Sequence, residues 1–100
     1  MNSWDVRDVK RRGTKLSSSV DDVRADLASR PPLTPAQMTQ IVDLLDRPST
    51  RYRHTAVIVT LRSLIPNAGL RLKVATRAQA AEYLQVLKAE MIEALASGRS

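Results

Sequence analysis

Apolar positions recur along this chain at helical spacing in four places. Leu16, Val20, Val23 and Leu27 follow a 4-3-4 rhythm behind Ser17, Ser18 and Ser19, with Asp21 and Asp22 in the first turn. Carboxylates there complement the helix dipole, so this pattern predicts a helix over 20–29, ended by Pro31 and Pro32. Thr34-Pro35-Ala36-Gln37 reads as a capping box with proline at the first helical position. Met38, Ile41, Val42 and Leu45 then form an apolar stripe, which predicts a helix over 34–46. Val57, Ile58, Leu61, Leu64 and Ile65 predict a third, over 50–65. The β-branched run Val57-Ile58-Val59-Thr60 leaves a strand open over 55–61. Helix is preferred, because period 2 would bury Thr60 or expose Leu61. Thr76-Arg77-Ala78-Gln79 is a second capping box, ahead of Ala80, Leu84, Leu87, Met91 and Leu95. It predicts a helix over 76–96, with Gly98 as a suitable residue beyond its end.

Two stretches break the helical rhythm. Pro66-Asn67-Ala68-Gly69 has turn chemistry. Leu70-Arg71-Leu72-Lys73-Val74 alternates apolar and basic residues, which predicts a short extended segment over 70–74 with Arg71 and Lys73 facing away from the core. Residues 1–15 are polar and basic around Trp4, Val6 and Val9, and read as an N-terminal arm. Residues 16–100 then form a single domain: a mainly α, compact bundle of about four helices with short connections.

Composition narrows the chemistry. The chain has 100 residues, no cysteine and no phenylalanine, so its core is aliphatic and no disulfide or thiolate metal site is available. No stretch reaches the ~18 apolar residues of a membrane span, and Met1 to Arg12 lacks the apolar run of a secretory signal. A cytoplasmic protein without membrane contact is the expectation. Glycines are scattered at 13, 69 and 98, so no phosphate-binding loop is present. His54 is the lone histidine, with no positioned carboxylate evident beside it. No catalytic residue, metal site or cofactor is therefore expected.

Charge changes the picture most. Between Arg47 and Arg77 lie seven positive side chains and no negative one, within a chain of formal net charge +6. A block of this kind attracts phosphates or acidic protein surfaces. The candidate anion-binding residues are Arg51, Arg53, His54, Arg62, Arg71 and Lys73, joined from the arm by Lys10, Arg11 and Arg12. On a helix over 50–65, Arg51, Thr55 and Arg62 lie opposite Val57, Leu61 and Leu64. The arginine fork suits two-point contacts with phosphate or guanine, and basic arms enter minor grooves. The competing reading is a solvated basic face, or one paired internally with Asp21, Asp22, Asp26, Asp43 and Asp46. The link Asp46-Arg47-Pro48-Ser49 is looser than a standard helix-turn-helix wants. The expected partner is nucleic acid, DNA before RNA, or else an acidic surface of a host protein met by a small adaptor or inhibitor. The long last helix also leaves room for a homodimer.

Residues 59–87 resemble the C-terminal domain of phage antirepressor proteins. The residues that carry the resemblance are Leu61-Arg62-Ser63-Leu64, then Lys73-Val74, then Arg77-Ala78-Gln79 with Ala80-Ala81-Glu82-Tyr83-Leu84. It implies a phage or prophage regulatory protein and carries over no functional residue.

Overall fold

Both capping boxes form. In the computed structural model, which describes residues 19–98, the Thr34 hydroxyl accepts from the Gln37 N–H while the Gln37 side chain accepts from the Thr34 N–H. Thr76 and Gln79 repeat the arrangement. Each box satisfies backbone donors that a helix start leaves open. The chain folds into a helical bundle: α1 (19–28), α2 (Pro35–Asp46), α3 (Arg51–Leu64), α4 (Pro66–Val74) and α5 (Arg77–Ala96). There is no strand among the described residues. The expected N-terminal arm, with Lys10, Arg11 and Arg12, lies outside them.

Residues 55–61 are helical, inside α3. Its N-cap Thr50 accepts from the Arg53 N–H. Val57 and Leu61 are buried, four residues apart, while Val59 between them faces outward. A strand would have put Val57, Val59 and Leu61 on one side.

The extended segment expected over 70–74 is instead the second half of α4, and the turn expected at Pro66–Gly69 is its first half. Two physical facts decide this. Pro66 stands at the first helical position, where its missing N–H costs nothing and its fixed φ suits the helix. Ala68, Gly69 and Leu72 then bury themselves at i, i+1 and i+4, a helical stripe that crosses the boundary between the two expected segments. The alternation of Leu70, Leu72 and Val74 is accidental: Leu72 is buried, whereas Leu70 and Val74 are exposed. Arg71 and Lys73 therefore point different ways.

Helix α4 packs closely on α3, which packs on α2, which packs on α5. The core joining them includes Met38, Ile41, Leu45, Val57, Leu61, Ile65, Leu72, Leu84, Leu87 and Met91. Val23 from α1 is fully buried in the same core. At Gly69 α4 comes close against the backbone of α3. A Cβ there would lie 2.5 Å from Arg62 Cγ and 2.9 Å from its Cα. Alanine in a helix interior ordinarily gains about 1 kcal/mol over glycine. Here it must push the two helices apart, so Gly69→Ala is expected to be net destabilising by about 1–2 kcal/mol, as overpacked sites are. A urea titration checks it, and a raised midpoint would show that the helices are free to separate.

Candidate nucleic-acid interface

The arginines of the basic block divide into two populations. Arg53 and Arg71 turn inward. Arg53 donates from Nη1 to the Leu45 carbonyl oxygen at 3.2 Å and from Nη2 to Ser49 Oγ at 3.4 Å. It thereby covers the C-terminal end of α2, where carbonyls lack helical partners. Its Nε is buried without a partner. Arg30, outside the block, does the same for α3 by donating to the Leu64 carbonyl oxygen.

Arg71 reaches the buried carboxylate of Asp26. Its Nε and Nη2 donate to the two carboxylate oxygens of Asp26 at 2.7 and 2.9 Å, a two-point fork. Asp26 is only 2 % exposed and also accepts from the Tyr83 hydroxyl at 2.7 Å. Arg71 Nη1 lies 3.3 Å from Asp22, and the guanidinium stands 5.9 Å from the centre of the Tyr83 ring. This cluster ties α1 to α4 and α5. Burial pushes the Asp26 carboxyl upward, but the hydrogen bonds from Arg71 and Tyr83 and the Arg71 charge outweigh it and hold the group below its usual range. Burial, then the bond to Asp26, pushes the Tyr83 hydroxyl up.

The second population faces solvent. Arg47, Arg51, His54, Arg62, Lys73 and Arg77 are exposed, and their side chains have no hydrogen bond or ion pair within the described residues. Their freedom follows from sequence, since α3 and α4 contain no acid. Acids elsewhere have nearer bases: Arg24 bonds Glu90 at 2.8 Å, and Lys88 pairs with Asp46.

Arg51 and Arg62 share the outer face of α3. Arg51, Thr55 and Arg62 fall at i, i+4 and i+11, so they form one row, all exposed. Tyr52, Val59 and Ser63, at i, i+7 and i+11, form a neighbouring row on the same outer face, also exposed. The arginines at the two ends are about 16 Å apart along the axis at ~1.5 Å per residue. Tyr52 is 88 % exposed. His54 sits on the flank, in line with Ile58 and Leu61. Lys73 lies on the outer side of α4, with the exposed Leu70 and Val74 around it.

Sequence reasoning left Tyr83 and Tyr52 without roles. The signal for the buried cluster was Asp26, a carboxylate three residues from Val23 on the apolar face of its helix; a charge in that position is buried only with a partner. For Tyr52 the signal was an aromatic side chain on the face opposite Val57 and Leu61.

Fold and charge thus define a small basic helical bundle whose exposed basic side chains without a partner among the described residues lie on and just before α3, at the C-terminal end of α4 and at the start of α5. No helix among the described residues is long and apolar enough to cross a membrane, and no group of three or more His, Asp or Glu among them is placed to hold a metal ion. Neither a protein-family model, nor a curated protein, nor a solved structure matches the chain.

Proposed function

We propose that this protein is a non-enzymatic nucleic-acid-binding regulator, acting on DNA through the outer face of α3. One observation carries the reading: α3 holds two exposed arginines with no partner among the described residues, on a two-helix stretch that has no acid. A row of unpaired guanidinium groups on a rigid helix is the arrangement that pairs with phosphates. The start of α3 adds to it, since its first turn has no acidic side chain to repel an anion. Lys73 extends the positive field, and His54 offers a ring N–H at the flank of α3. Arg53 and Arg71 support the surface from inside and do not contact the partner. The antirepressor resemblance agrees with a regulatory role in a phage or prophage.

Arg51→Ala combined with Arg62→Ala is expected to weaken DNA binding by about tenfold or more and to lower the slope of log affinity against log salt by about 1–2, at ~0.9 per neutralised phosphate. Fluorescence anisotropy over a salt series measures both. Absence of binding by the unaltered protein at low salt would reject the nucleic-acid reading.

A second reading draws on Leu70 and Val74, 59 % and 84 % exposed on either side of Lys73. Apolar side chains beside unpaired cations also suit an acidic protein surface, as an adaptor or inhibitor would meet. Recovery of one stoichiometric acidic protein, without DNA binding, would favour it.

A further inference from the structure

The outer face of α3 carries more than charge. Beside the row of Arg51, Thr55 and Arg62 runs the row of Tyr52, Val59 and Ser63, and the two are neighbours along the length of the helix. Duplex phosphates would engage the first row and leave the second idle. The Tyr52 ring, 88 % exposed, and Val59, 61 % exposed, lie in line on the same side of the helix, an apolar strip open to a ligand. A single strand offers what both rows lack: phosphates along one edge and unstacked base faces along the other. Base stacking on an aromatic side chain is the main sequence-tolerant attraction of such strands, supplemented by a basic track for the backbone.

Resting on the nucleic-acid reading above, we infer that α3 binds single-stranded DNA, with Arg51 and Arg62 holding the backbone and Tyr52 and Val59 covering the bases. The face spans about 16 Å along the helix, so it meets a short stretch of the strand. Val59 presents only methyl groups, which favour the C5-methyl of thymine. That contact commits the inference to DNA, in which thymine carries the methyl. The ring of Tyr52 is not fixed by any hydrogen bond among the described residues, so it is free to turn its face to a base.

The test uses a fluorescein-labelled oligothymidylate of ~12 nucleotides, within the usual site size of single-strand binders. A duplex of equal length and a matching oligouridylate serve as competitors at fixed salt. The expected result is tighter binding of the thymidylate than of either competitor. Tyr52→Ala should weaken thymidylate binding about tenfold and leave duplex binding nearly unchanged, whereas Tyr52→Phe, which keeps the ring, should bind as the original does. Tyr52 is 88 % exposed, so these variants fold, as circular dichroism would check. Equal or tighter duplex binding, or a silent Tyr52→Ala, overturns the single-strand inference while the nucleic-acid reading survives. Equal binding of the uridylate overturns the choice of DNA. Binding of no oligonucleotide sinks both and leaves the acidic protein partner.

Discussion

Arg71→Ala is expected to lower the unfolding free energy by about 3 kcal/mol at neutral pH, out of a total that for such a domain is about 5–15 kcal/mol. The loss does not come from the pair's attraction alone. Asp26, 2 % exposed in the intact protein, would keep only the Tyr83 hydroxyl to answer its charge, and stranding a buried carboxylate is what makes one-sided deletions severe. The lower part of the usual range applies because the Arg71 side chain is itself 37 % exposed. Replacing Asp26 and Arg71 together by apolar residues should cost less than Arg71→Ala, since neither charge is then orphaned.

The same cluster shapes the pH dependence. Asp26 is held below its unfolded value of 3.8 by Arg71 and Tyr83, so its contribution is complete above that value and fades as pH falls through the lower folded value. Tyr83 is shifted the other way. Above pH 10.0 the unfolded chain loses the phenolic proton while the folded chain keeps it, so stability declines on that side too. Urea titrations across pH should show both limbs. Asp26→Asn should flatten the acid limb, and Tyr83→Phe the alkaline one. An unaltered midpoint for Arg71→Ala at pH 7 would remove the cluster from the account of stability.

Leu87→Ala should cost about 3 kcal/mol, within the ~2–5 kcal/mol seen when a buried leucine is cut back. Leu87 is fully buried on α5, the helix that packs against α2. The core around it is aliphatic, built on Ile41, Leu61, Ile65 and Met91, with Tyr83 as its one buried aromatic among the described residues. Leu87→Met, which nearly conserves volume, should cost under ~1.5 kcal/mol. The urea midpoint should fall for alanine with an unchanged slope; a changed slope would mean that the unfolded state had altered instead.

Helices α2 and α5 were legible because their starts are written in local chemistry. A threonine, then a glutamine three residues on, specifies a hydrogen-bond pair that needs no distant residue. Helix α4 was not, because the reason for Gly69 is the backbone of Arg62, and a five-residue alternation holds too few positions to separate period 2 from period 3.6. The charge block is a property of sequence. Which of its members face outward is a property of long-range contacts: Arg71 meets Asp26 45 residues earlier and Tyr83 meets it 57 residues later. Periodicity placed Arg51, Thr55 and Arg62 together on a helix face, and on α3 they share one. It placed Arg71 beside Lys73, and helical geometry parts them.

Ile65 alone separates α3 from α4. It is fully buried, ends one helix and begins the next, and its N–H bonds back to the Leu61 carbonyl oxygen at 2.7 Å. The two helices thus form an elbow without a hinge. A force applied to α4 has no loop in which to dissipate and is delivered directly to α3. Extra residues inserted there would sever that transmission. The elbow sets the spacing of whatever side chains the two helices present, so a partner meets a template already cast and not one shaped on contact.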